Sequence, residues 1–203
     1  MQYLLASHNR GKCREYAQLL SSCGGEVLLP QDIGITLEPE ENGSSFEENS
    51  FIKAESYFRA TGMASIADDS GLVVDALNGA PGIYSARFGA PECRTDEDRW
   101  RKLLLDLENV PDPERTARFV CAITCILPDK TVLSAYGVCE GRILFSPRGE
   151  DGFGYDPIFL VPELGKSFAE LEPSVKNQIS HRARAFQEFY NKLLAYQEEH
   201  NAL

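Results

Sequence analysis

The stretch Thr116-Ala117-Arg118-Phe119-Val120-Cys121-Ala122-Ile123-Thr124-Cys125-Ile126-Leu127 is apolar at alternate positions of both parities. That pattern marks a strand buried on both faces in the middle of a sheet. Pro128-Asp129-Lys130 supplies a turn, and Thr131 to Cys139 is predicted to return antiparallel. Upstream, Pro111 and Pro113 follow a helix that Thr95 caps, with Trp100, Leu103, Leu104 and Leu107 on one apolar face. Earlier still, a strand from Ala64 to Ala67 is expected to deliver an acidic turn, Asp68-Asp69-Ser70-Gly71. The helix before it starts near Ser44 or Ser45, where Glu47 and Glu48 supply the partners of a capping box, and runs to about Thr61, ahead of Gly62. The first strand, Tyr3 to Ala6, leads through the polar loop Ser7 to Gly11 into a helix bearing Tyr16, Leu19 and Leu20. Downstream, Gly149 to Pro157 reads as a loop and Ile158 to Val161 as a short strand. The last helix carries Phe186, Phe189, Tyr190, Leu193 and Leu194 as one stripe. Helices at both ends and strands in two blocks give an α/β fold, a mixed sheet flanked by helices. With no internal repeat and no Gly-, Pro- and Ser-rich linker, residues 1–203 read as one domain.

The formal net charge of -11 argues against broad nucleic-acid binding, since a polyanion would be repelled. A small anionic ligand would need a local cluster of cations or a bound metal. No run of about 18 apolar residues could span a bilayer. The N-terminus, Met1 to Ala6, lacks the basic leader and apolar length of a signal peptide. Cys13, Cys23, Cys93, Cys121, Cys125 and Cys139 form no CxxC pair and read as reduced, mostly buried thiols of a cytoplasmic protein. Cys121 and Cys125 lie four apart on a strand, face the same way and read as core packing.

Several segments carry chemistry. Ser7 to Lys12 joins a strand to a helix N-terminus, where backbone N–H groups and the helix dipole favour a phosphate, with Arg10 and Lys12 adding charge. Such connections are also common without a ligand, and no GxxxxGK[ST] P-loop occurs. Glu38, Glu40 and Glu41 precede the second helix and on their own read as a solvated acidic loop; with Asp68 and Asp69 they offer the oxygen ligands that magnesium takes. As neighbours on a strand, Asp68 and Asp69 point to opposite faces and should do different work. Asn49 and Lys53 share a helix face, from which the lysine could reach phosphate or simply solvent. Gly152-Phe153-Gly154-Tyr155-Asp156-Pro157 sets aromatic rings beside a carboxylate, suited to stacking on a base and accepting its ring N–H groups. The alternative is a tight turn with two core aromatics, Phe153 being the more core-like. Lys176 and Ser180-His181-Arg182 fall where a short helix gives way to the last one. His8 and His181 both sit in polar, loop-like contexts, and the adjacent His-Arg donors suit a carbonyl oxygen on a base.

Together these segments resemble the non-canonical purine NTP pyrophosphatases, also called inosine triphosphatases. The resemblance rests on Leu5-Ala6-Ser7-His8-Asn9-Arg10-Gly11-Lys12, Phe46-Glu47-Glu48-Asn49 with Lys53-Ala54, and Ala67-Asp68-Asp69-Ser70-Gly71-Leu72. It continues through Ala80-Pro81-Gly82-Ile83-Tyr84-Ser85-Ala86-Arg87, Gly152 to Phe159 and Ser180-His181-Arg182, in order over nearly the whole chain. It implies an elongated mixed sheet with two lobes and a central substrate cleft, usually as a homodimer. It implies hydrolysis of ITP, dITP and XTP to the monophosphate and pyrophosphate, a magnesium-activated water attacking the α-phosphorus with Asp69 as general base. Ser7, Asn9, Lys12 and Lys53 would bind the triphosphate, Glu41 and Asp69 the Mg2+, and Ser70 the substrate. Phe153, Gly154, Tyr155, Asp156, Lys176, His181 and Arg182 would form the base pocket. One departure stands out: the family usually reads Thr-Gly-Asn where this chain has Ser7-His8-Asn9. Either the loop takes another path or His8 itself contacts phosphate. Two rivals stay open, a purine-nucleotide-binding regulator without catalysis and a related hydrolase of another modified nucleotide. Glu41, Asp69 and Lys53 count against the first, and His181-Arg182 against pyrimidine substrates.

Overall fold

The computed structural model describes residues 2–21 and 24–201; Cys23, read above as a reduced thiol, lies outside them. Among the described residues, seven strands and five α-helices follow one another: β1 Gln2–Leu5, α1 Arg10–Ser21, β2 Glu26–Leu28, α2 Phe46–Thr61, β3 Ser65–Val74 and α3 Asp96–Asp106. They continue with β4 Thr116–Ile126, β5 Val132–Ile143, β6 Phe159–Val161, β7 Lys166–Ser167, α4 Pro173–Ile179 and α5 His181–Asn201. The strands follow the order β2-β1-β3-β4-β5-β6-β7. β1 pairs in parallel with β2 and β3, whereas β5–β6 and β6–β7 are antiparallel, so the sheet is mixed as expected. β4 and β5 are neighbours joined only by Leu127–Thr131, a connection too short for a parallel crossover. Leu127 N–H to the Thr131 carbonyl closes that turn.

The chain forms two compact units. The first comprises Met1–Asp69, Cys121–Gly137 and Arg182–Leu203, the second Ser70–Val120 and Val138–His181. In the first, strand alternation sorts side chains into two cores. Tyr3, Leu5, Ile66, Cys121, Ile123 and Cys125 pack with Tyr16 and Leu20 of α1 and Phe186, Phe189 and Leu193 of α5. Leu4, Ala6, Ala67 and Ile126 face the other way, onto Ala54 and Tyr57 of α2. The stripe of α5 is therefore core-forming, except that Leu194 is exposed. The second unit has its own core, in which Leu103, Leu107 and the partly buried Trp100 and Leu104 of α3 meet Phe119, Phe159 and Phe168.

Two local expectations change. Asp68 to Gly71 is not a turn after a strand: β3 runs on to Val74, because Leu72 and Val74 are fully buried and draw the chain forward. Ser45 caps α2 by accepting from Glu48 N–H, but Glu48 returns to the N–H and hydroxyl of Ser44, one residue further back than a capping box requires. Thr95 and Asp98 do form the reciprocal box at α3. Among the described residues, no helix is long and apolar enough to cross a membrane.

Candidate functional site

The first unit gathers its chemistry around the middle of β3. Asp68 and Asp69 are adjacent, so the pleat sends them to opposite faces, and each meets a different lysine. Lys12 lies 2.9 Å from Asp68 Oδ2. On the other face Asn49 Nδ2 donates to Asp69 Oδ2 at 3.1 Å, and Lys53 Nζ is 3.5 Å from Asp69 Oδ1 and 3.2 Å from Glu41 Oε2. The i, i+4 spacing of Asn49 and Lys53 on α2 puts both on Asp69, as their shared face predicts. Burial raises the Asp69 pKa above the ordinary aspartate value, Glu41 adds to it, and Lys53 and Lys12 pull it back only in part. Burial also works on Asp68, but there Lys12, Arg182 and Lys53 win and hold the carboxyl well below the usual carboxylate range. The two neighbours thus differ chemically: Asp68 is a fixed anion, while Asp69 is the more basic carboxylate.

Behind Asp68 lies a chain of buried charge. Arg182 Nη2 is 3.4 Å from Asp68 Oδ2, its Nη1 bonds Glu15, and the Cys121 thiol donates to Asp68 Oδ2 at 3.7 Å. Burial alone would lower the arginine pKa, and Asp68 and Glu15 more than reverse that. Sequence reading assigned Arg182 to a base pocket; in the fold its guanidinium pairs with two carboxylates. Glu15 was missed, although it lies three residues after Lys12 on the same helix, a spacing that places both on one face.

The Ser7 to Lys12 loop differs from expectation in one respect. Asn9 Oδ1 accepts from the N–H groups of Gly11 and Lys12, at 2.9 and 3.0 Å, so the asparagine caps α1 and takes donors that were expected to face a phosphate. Asn9 N–H itself donates to Ser7 Oγ at 3.2 Å. Glu38 and Glu40 are exposed, and of the three glutamates Glu41 is the one drawn onto Lys53. Ser70 follows Asp69 on β3 and is half-buried.

The second unit holds the other candidate residues. Asp156 Oδ2 accepts from Phe153 N–H at 2.9 Å and from Lys176 Nζ at 2.7 Å, and that ammonium lies 4.7 Å from the Phe153 ring centre. Gly154 N–H donates to Asp96 of α3 at 2.7 Å. The rings exchange their expected roles. Tyr155 is the core residue, its hydroxyl donating to the Ser85 carbonyl at 2.9 Å, while Phe153 is only half-buried. A buried tyrosine needs such a partner for its hydroxyl, and Ser85 provides one. His181 is not loop-like: it opens α5 almost fully buried, stacked 4.7 Å from Phe119 and 6.4 Å from Phe168. An imidazole stacked at one side of two near-parallel apolar rings is held in a fixed plane, which the polar flanks of the sequence concealed.

A mixed α/β sheet whose interior strand β3 carries adjacent buried carboxylates, each faced by a lysine, is a frame suited to hydrolysis of phosphate anhydrides. The chain belongs to the Ham1 family, which matches it over residues 3–192. It is 49% identical to a dITP/XTP pyrophosphatase of Vibrio parahaemolyticus over 95% of this chain and 96% of that one. With a dITP/XTP pyrophosphatase of Desulforamulus reducens it shares 47% identity, covering 98% of this chain and 100% of the relative. Among solved structures, the Staphylococcus aureus Ham1 protein superposes with a TM-score of 0.83 at 40% identity, covering 98% of this chain and all of that one. A nucleoside-triphosphatase, or dITP/XTP pyrophosphatase, of Mycobacterium abscessus superposes with a TM-score of 0.73 at 41% identity, covering 92% and 97%.

Proposed function

We propose that this protein hydrolyses ITP, dITP and XTP to the nucleoside monophosphate and pyrophosphate, removing non-canonical purines from the nucleotide pool. The observation that carries this reading is the Lys53 ammonium, which sits between the Glu41 and Asp69 carboxylates. A cation already bridges two oxygen ligands there, and that donor set suits Mg2+, which takes one or two protein carboxylates and completes its shell with water and phosphate. Among the described residues no group of three or more His, Cys, Asp or Glu side chains could hold a metal by itself, so the protein would supply two carboxylates and leave the other positions to water and phosphate. When bound, the magnesium would supply charge neutralisation at the phosphates and a more acidic water.

The chain's own groups do the rest. Lys12 and Lys53 offset charge on the phosphates, with Ser7 and Asn9 at the same loop. Asp69, the more basic carboxylate of its pair, orients a water and takes its proton as the oxygen attacks the α-phosphorus, and pyrophosphate leaves. Asn49 fixes Asp69 Oδ2, which leaves the carboxylate one orientation in which to act. For the base, Phe153 offers a half-exposed ring, Asp156 an acceptor held by Lys176, and His181 a donor in a rigid stack. A six-oxo purine accepts where adenine donates, so a site built on such bonds rejects ATP by about 10⁴ or more.

A homodimer in the cytoplasm completes the proposal. A reducing compartment suits the thiols, none of which is in a disulfide among the described residues. The exposed Tyr84, Leu105 and Phe145 offer apolar surface for a second copy. Light scattering behind a sizing column reads the mass directly. The reaction is tested by chromatography of ITP, XTP, GTP and ATP after incubation with the protein and magnesium. IMP and XMP appearing while GTP and ATP persist is the expected result; intact ITP, or release of single phosphates, contradicts it.

A further inference from the structure

His8 stands where phosphate contact was one of two expectations, and its ring is turned elsewhere. Nε2 lies 3.3 Å from the Leu37 carbonyl oxygen and 3.2 Å from the Tyr57 hydroxyl. The Tyr57 hydroxyl itself donates to that carbonyl. Leu37 can only accept, and Tyr57 has spent its one proton on Leu37, so His8 Nε2 carries the hydrogen and donates to both oxygens. Tyr57 is on the buried face of α2, and Leu37 packs against the same cluster with Ile35. Four residues after Leu37 comes Glu41, drawn to Lys53, which precedes Tyr57 by four on α2. The acidic segment is therefore pinned at two points to one helix face, and the first pin includes a side chain from the Ser7 to Gly11 loop.

We propose that His8 and Tyr57 are positioning residues that hold the Leu37–Glu41 segment in the path that presents the Glu41 carboxylate to the divalent metal. This deepens the magnesium reading and rests on it. The two hydrogen bonds fix the backbone ahead of Glu41, so the carboxylate loses less freedom when a cation is captured. The same link makes the phosphate loop and the metal segment move together, and it comes from a residue in which this chain departs from the usual glycine.

The test measures Mn2+ binding to the nucleotide-free protein by electron paramagnetic resonance, for the natural protein and for His8→Gly, His8→Gln, Tyr57→Phe and Glu41→Gln. Loss of one pinning bond, worth a net of about 0.5–1.5 kcal/mol, converts to roughly 2- to 12-fold weaker binding. That loss is expected for His8→Gly and Tyr57→Phe, with His8→Gln restoring affinity because its amide can donate to the same carbonyl. Glu41→Gln should weaken binding more than either. Natural affinity in His8→Gly and Tyr57→Phe, with Glu41→Gln weakened, overturns the positioning role and leaves the metal reading standing. Natural affinity in Glu41→Gln overturns the metal reading beneath it. Should Tyr57→Phe melt early, His8→Gly decides alone, because His8 is exposed and its loss removes no core packing.

Discussion

Asp68 and Asp69 share a peptide bond and differ in nearly everything that matters to a carboxylate. The alternation of a strand accounts for the difference in partners, and partner charge accounts for the difference in basicity. Asp68→Asn leaves the buried Arg182 and the Lys12 ammonium short of an anion, and breaking a buried pair in this way costs about 3–5 kcal/mol. Because its pKa is depressed in the folded protein, Asp68 stabilises fully above its unfolded value of about 3.9 and loses that contribution as pH falls below it. Calorimetric melting of the natural protein and Asp68→Asn should therefore show a gap at pH 7 that narrows toward pH 3; a gap independent of pH would mean packing alone is at stake. Asp69→Asn should instead leave the melting temperature near its natural value and reduce ITP turnover by orders of magnitude, with nucleotide affinity largely kept. Lys53 is the strongest cation opposing the raised pKa of Asp69. Lys53→Met should therefore raise that pKa further and move the acid limb of the kcat/KM profile to higher pH. An unmoved limb would assign it to another group. That the two aspartates face opposite ways and meet different partners was legible in the sequence. The Glu15–Arg182–Asp68 chain was not, since its members lie far apart along the chain and meet only through the fold.

Secondary-structure elements were most legible where an apolar period repeats. β4 shows this through Thr116 to Ile126, as do the Thr95 cap with the Leu103 face of α3 and the end of α2 before Gly62. The acidic segment of β3 was misread as a turn because Asp-Asp-Ser-Gly has turn composition. Lys12 and Arg182 make the buried Asp68 tolerable inside a strand, and neither is local. In the loop 152–157 the two aromatics were ranked the wrong way, because nothing near Tyr155 in sequence announces the Ser85 carbonyl that its hydroxyl needs. Gly152 tests this loop. Its φ is +85° and a Cβ there would lie 2.2 Å from Asp156 Oδ2, so Gly152→Ala must displace the carboxylate that Phe153 N–H and Lys176 hold. Its expected effect is a KM for ITP raised about tenfold or more with kcat less affected, read from steady-state kinetics; an unchanged KM would remove Asp156 from base recognition.

Over the whole molecule, each of the two compact units carries its own hydrophobic packing and its own polar set. Carboxylates and lysines belong to one unit, and the aromatic loop with its Asp156–Lys176 pair belongs to the other. Arg115 shows how firmly the second unit is tied: fully buried, it donates to the carbonyls of Leu107, Ile143 and Leu144. Arg115→Met would take the arginine donors from the Ile143 and Leu144 carbonyls, while Leu107 keeps the Val110 N–H, at a cost of about 2 kcal/mol or more, a drop in melting temperature of roughly 4–8 °C for a chain this size. The fold class and its mixed sheet were readable from the sequence, because strand blocks and helices alternate with clear punctuation. The cation-bridged Glu41 and Asp69 were readable only as separate acidic segments. The central claim is that a water activated at Asp69 attacks the α-phosphorus. Turnover of ITP in ¹⁸O-water, with mass spectrometry of both products, tests it most directly: the account predicts the label in IMP and none in pyrophosphate, and label in the pyrophosphate would contradict it.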